Sequence, residues 1–132
     1  MSNHQAGPHN SWHKLLLITV LLLAACSGAG GSSPADTVEK YMAAKATGDA
    51  DTIQRLLCAE MEASLEREQH TFDSVTGVQI EGAACQRVGD SSTVSCEGNI
   101  IALYGTEETV FPLTSYRVVS EDGEWKWCGE AQ

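Results

Sequence analysis

The apolar and polar positions divide the chain into an apolar run, a helical stretch and a strand-rich stretch. Leu15 to Ala25 is apolar apart from Thr19, and follows a polar stretch, Met1 to His13, and Lys14. A helix needs about 20 residues to cross a bilayer core, and this run is shorter. Behind a weakly basic start and ahead of small residues, it predicts a cleavable signal peptide over residues 1–25. Ser27 to Ser33 is glycine- and serine-rich, a flexible tether that cannot build a core. Helical spacing then begins. Ser33-Pro34-Ala35-Asp36 offers a capping serine, a proline suited to the first turn and an acid near the positive end of the dipole. Val38, Tyr41, Met42 and Ala46 follow at helical spacing, and Gly48 is a stop. Asp49 can cap a second helix with the stripe Ile53, Leu56, Leu57, Met61 and Leu65. Glu60, Glu62, Glu66, Arg67 and Glu68 read as its solvated face. The spacing leaves open one long helix or two with a break near Cys58 to Glu60.

From Thr71 the texture changes to β-branched residues, small residues and glycines. Four strands are predicted, at residues 75–88, 92–104, 108–120 and 124–128. The turns between them are Gly89-Asp90-Ser91, Gly105-Thr106-Glu107 and Glu121-Asp122-Gly123. Such short connections imply an antiparallel meander. Gly77 and Gly82 predict bulges or a strong bend, and Pro112 has no amide hydrogen to give a neighbour. The expected fold class is α+β, with N-terminal helices packed on a curved four-stranded antiparallel sheet. It forms one domain over residues 35–132, with residues 26–34 as anchor and tether.

Two resemblances sharpen this picture. Leu23-Ala24-Ala25-Cys26 resembles the bacterial lipobox. That resemblance implies cleavage before Cys26, lipid on its thiol, and anchorage on the extracytoplasmic side of a bacterial membrane. Two or three acyl chains hold firmly where one is marginal, at about 0.8 kcal/mol per buried methylene. Further on, Ala35-Asp36-Thr37-Val38-Glu39-Lys40-Tyr41-Met42-Ala43-Ala44 and Thr47-Gly48-Asp49-Ala50 look like the opening of nuclear-transport-factor-2-like (cystatin-like) domains. Tyr116-Arg117-Val118-Val119-Ser120-Glu121-Asp122-Gly123-Glu124-Trp125-Lys126-Trp127 looks like their closing hairpin. The likeness runs from about Ala35 to Cys128 and includes the small lipoproteins of that superfamily. It implies a cystatin-like roll and brings no activity with it.

Four cysteines remain beyond Cys26, and export would place them where disulfides persist. No Cys-x-x-Cys pair occurs, so a redox motif or zinc knuckle lacks its local spacing. A hairpin centred between residues 90 and 91 puts Cys85 opposite Cys96, within bonding distance, although a bulge would shift that register. Elimination then pairs Cys58 with Cys128.

The whole chain carries a net charge of −10, and loss of Lys14 with the leader makes it −11. With no basic cluster to offset this, nucleic acid is excluded as a partner. His4, His9 and His13 belong to the leader, and His70 lies at a predicted helix end, where a charge interaction accounts for it. No Ser/His/Asp or Cys/His set can be assembled, and no glycine pattern would cradle a phosphate. No metal or cofactor is expected. The resembled fold places acids and tyrosines in the cone between helices and sheet, so Tyr41, Asp73, Tyr104 and Tyr116 are candidate pocket residues. Trp125 and Trp127 share a strand face and join them. Helical stripes and strand alternation also account for Val38, Met42, Ile53, Leu57 and both tryptophans as filling, which predicts little ligand space. The leading expectation is a membrane-anchored, non-enzymatic binding or interaction module, whose partner is an envelope protein or a small apolar ligand. The alternatives are a cone-pocket enzyme of isomerase or dehydratase type and a purely structural envelope component. A carboxyl group and a tyrosine within hydrogen-bond reach in a deep pocket would favour the enzyme.

Overall fold

The computed structural model describes residues 31–132; the expected signal peptide, Cys26 and the start of the tether lie outside the described residues. Helix α1, Pro34–Thr47, starts with a reciprocal cap. Ser33 Oγ accepts the Asp36 N–H at 3.1 Å, and the Asp36 carboxylate accepts the Ser33 N–H at 3.3 Å. It ends where Gly48 turns left-handed (φ 70°) and the Asp49 N–H reaches back to Ala44 O at 2.9 Å. Asp49 then caps α2, Ala50–Leu56, by accepting the Thr52 N–H at 3.0 Å. The question of one helix or two is settled at Leu57. That residue is extended and bridges Trp127, while the Cys58 N–H donates to Trp127 O at 2.9 Å. The pull of the sheet on this backbone ends the helix. A 3-10 helix, Ala59–Ser64, and a short α3, Leu65–Gln69, complete the helical layer.

The strands are β1 Thr76–Arg87, β2 Thr93–Tyr104, β3 Glu107–Pro112, β4 Ser115–Glu121 and β5 Glu124–Glu130. Over the described residues the fold is therefore α+β with three α-helices and a five-stranded antiparallel sheet, which corrects the expected four strands. The order is β1-β2-β4-β5, with β3 also beside β2. The strand expected over residues 108–120 is split. β3 pairs with Asn99 to Tyr104 of β2, and β4 with Thr93 to Ser95. Between them, Cys96, Glu97 and Gly98 face only Leu113 and Thr114, so the ladder slips by one residue. Leu113 donates to Gly98 O at 2.8 Å and Cys96 to Thr114 O at 2.9 Å, which keeps the two strands against one neighbour. Pro112 has no N–H to give at the break, and Gly98 has a φ of 107° that other residues rarely adopt.

Gly98 also faces a bulge in β1. The register of that strand slips at Gly77 and again at Gly82, both left-handed, as the glycine positions predict. A Cβ on Gly98 would lie 2.6 Å from Glu81 O and 2.7 Å from Gly82 O, so the two backbones meet there. At the other end, Asp122 and Gly123 form a two-residue turn with φ of 51° and 79°, the twist that a tight hairpin requires.

The helical layer lies on one face of the sheet. Val38, Tyr41, Met42 and Ile53 are buried against Val94, Ile100, Val118 and Trp127. Fully burying one such aliphatic side chain contributes about 1.5–3 kcal/mol. Among the described residues one disulfide braces the sheet and another fastens the two layers. Cys85–Cys96 bridges β1 and β2 across Cα atoms 4.1 Å apart, and Cys58–Cys128 joins the end of the α2 segment to β5 across 5.3 Å.

Candidate functional site

Between the sheet and the segment made by the 3-10 helix and α3 lies a cleft of about 460 Å³. Its apolar wall is Met42, Met61, Phe72, Ile100, Phe111 and Trp127, and its polar groups include Lys45, Arg67, Glu68, Tyr104, Tyr116 and Glu130. The expectation of little ligand space is thus corrected. Val38, Met42, Ile53, Leu57 and Trp127 do fill the core, but the helices close over only part of the sheet.

The polar end is built by spacing. Tyr41 and Lys45 are one turn apart on α1 and share a face. Glu68, three residues after Leu65, points inward from α3 and is only 6% exposed. Its Oε2 accepts the Tyr41 hydroxyl at 3.0 Å and the Lys45 ammonium at 2.8 Å, and Arg67 lies 3.6 Å from Oε1. The Tyr41 ring stacks on Trp127 with centroids 4.1 Å apart and planes 12° apart. Lys45 Nζ stands 5.5 Å from the Trp127 ring centroid, a cation over an aromatic face. Burial, and then the negative charge of Glu68, drive the Tyr41 phenol pKa well above its ordinary value, so it stays a neutral donor. Burial also raises that of Tyr116, whose oxygen accepts the Thr114 N–H at 3.4 Å. The Trp127 indole N–H is buried and has no acceptor among the described residues.

The candidate pocket residues divide. Tyr104, Tyr116 and Trp127 line the cleft, and Tyr41 stands behind its wall, acting through Glu68 and Trp127. Asp73 is elsewhere. It is exposed and lies 2.6 Å from His70 Nδ1, just beyond α3. Trp125 is also outside the cleft, half-buried under the Arg87 guanidinium at 4.8 Å. Sequence reasoning missed Lys45 and assigned Glu68 to the solvated face. A signal was present, since Met61, Leu65 and Glu68 continue one stripe at spacings of four and three, which places Glu68 on the inward side.

Among the described residues, no helix is long and apolar enough to cross a membrane, and no three His, Cys, Asp or Glu side chains converge on a metal position. Chemically, the cleft offers apolar and aromatic surface ending at a neutralised carboxylate and several N–H and O–H donors. Compared with known proteins, the chain matches no family model and none of the curated proteins.

Proposed function

We propose that this protein is a lipid-anchored extracytoplasmic binding module, a cystatin-like roll whose cone-shaped cleft receives a small, mostly apolar ligand. One observation carries the reading. A hollow of about 460 Å³ walled by methionine, isoleucine and aromatic side chains, with a few convergent polar groups, has the size and lining of a small-molecule site. The address rests on the short apolar run, on Leu23-Ala24-Ala25-Cys26, and on two disulfides of a kind that persists outside the cytosol.

A second reading, an isomerase or dehydratase, has the 3.0 Å contact between Tyr41 and Glu68 in its favour. The same Glu68 oxygen is already occupied by the Lys45 ammonium as well as the Tyr41 hydroxyl, and the Tyr41 proton is held fast. Binding is the better account.

The test is the neutral apolar probe N-phenyl-1-naphthylamine, followed by its fluorescence in the presence of the folded domain. Saturable binding that is lost when Met61→Trp fills the cleft is expected. A wild-type domain that leaves the probe dark would overturn the cleft reading. For the anchor, the mature protein should begin at a lipid-modified Cys26 by mass spectrometry, and an unmodified terminus elsewhere would refute it.

A further inference from the structure

We propose that the buried end of the cleft is a carboxylate subsite, so that the ligand is an apolar monocarboxylate, chain outward and carboxylate inward. The inference rests on the cleft reading above and adds the chemistry of its polar end, which is an imbalance between donors and acceptors.

Glu68 is the only charged side chain buried among the described residues; its Oε2 already accepts from Tyr41 and Lys45, and Arg67 stands 3.6 Å from its Oε1. The donors are not used up. Lys45 Nζ has three protons, and Glu68 is its one hydrogen-bonding partner among the described residues. Its side chain is 14% exposed, so little water reaches the other two. The Trp127 indole N–H is buried and unpartnered among the described residues, a position that costs free energy, and Trp127 lines the cleft. The Tyr116 hydroxyl accepts from Thr114, which leaves its own proton to give.

Charge permits this. Lys45 and Arg67 balance Glu68 and Glu130, so the lining is neutral within a chain of net charge −10. Glu130 is the remaining acid of the lining, three residues beyond Trp127 on β5 and exposed to solvent. Arg67 and Glu130 are both exposed and their charges are screened over about 10 Å at ordinary salt, whereas the Lys45 ammonium is screened much less. A carboxylate supplies two acceptor oxygens to these spare donors and places a negative charge beside the Lys45 ammonium. An alcohol supplies one acceptor oxygen and no charge, and an ammonium only adds donors.

The experiment displaces N-phenyl-1-naphthylamine with octanoate and with octan-1-ol, which share a chain length. At neutral pH octanoate should compete at least about tenfold better. Removing Lys45 alone would strand Glu68, so the charge-neutral pair Lys45→Gln with Glu68→Gln is used. It should still bind the probe while the preference for octanoate falls to about twofold or less. Equal competition by the two compounds in the wild type overturns the carboxylate subsite and leaves the cleft intact. A preference that survives in the paired variant also overturns it. Absence of probe binding overturns the cleft reading and this one with it.

Discussion

Glu68 sits where a charge is costly, and its neighbours explain why it stays. Taking a carboxylate out of water costs several kcal/mol, and only close, well-directed partners offset that. The Tyr41 hydroxyl and Lys45 ammonium are such partners, and they fix the α3 segment against α1. Replacing Tyr41 with Phe should therefore destabilise the fold by about 1.5–3 kcal/mol, the worth of a hydrogen bond to a charged group, as read from urea unfolding. The same tyrosine sets an alkaline limit. In the unfolded chain its phenol ionises near about 10, whereas in the folded chain burial and Glu68 keep the proton on. The folded state thus binds more protons in that range, so stability is full below it and falls as pH rises through it. Tyrosinate absorbance from Tyr41 should appear only together with loss of near-ultraviolet circular dichroism; earlier ionisation would mean that the ring is not sealed. At this scale the sequence is only partly legible. Helical spacing placed Tyr41 and Met42 inward, but charge weighed against position for Glu68, and it took the contact with Lys45 to reverse that.

At the scale of elements, the helix starts and hairpin turns follow from local chemistry that a sequence displays. Ser33 and Asp36 form their box, and Asp122-Gly123 form their turn, within a few residues of chain. The break between β3 and β4 is different, because it depends on what lies across the ladder. Gly98 bulges against Leu113 and Thr114 on one side and meets the backbone of Glu81 and Gly82 on the other. Only Pro112 hinted at it. Gly98→Ala should be among the most damaging single-methyl additions in the sheet. The unfavourable φ alone costs roughly 1–3 kcal/mol, and the clash with the β1 backbone adds to it. Gly105→Ala, at a left-handed turn with open space around it, is the control and should cost less. Equal losses in chemical denaturation for both variants would show that the β1–β2 approach is looser than described.

For the molecule as a whole, the two disulfides are unequal. Cys85–Cys96 closes a separation of 11 residues and Cys58–Cys128 one of 70. Chain entropy assigns about 3 kcal/mol to the first and about 4.4 kcal/mol to the second. The longer bond also ties the helical layer to the last strand, whereas the shorter one reinforces a ladder that already holds. Replacing Cys58 and Cys128 together by Ala should lower the melting temperature more than replacing Cys85 and Cys96. The reverse order in calorimetry would place the weak point in the β1–β2 hairpin. The pairing could be counted from the hairpin register, because a single turn sets it. The cleft could not, since its volume depends on how far the helices close over the sheet. The two hairpin turns also give the molecule a polarity. Gly31 lies beside Gly123 in the β4–β5 turn, whereas Tyr104, on the cleft rim, ends β2 at the β2–β3 turn. β2 and β4 run antiparallel, so these turns occupy opposite ends of a sheet whose longest strands have 12 residues and span about 40 Å. With lipid on Cys26 as proposed, the chain would leave the domain for its anchor from the end of the sheet opposite the tyrosine rim. The attachment point and the cleft rim are then set apart by the length of the sheet.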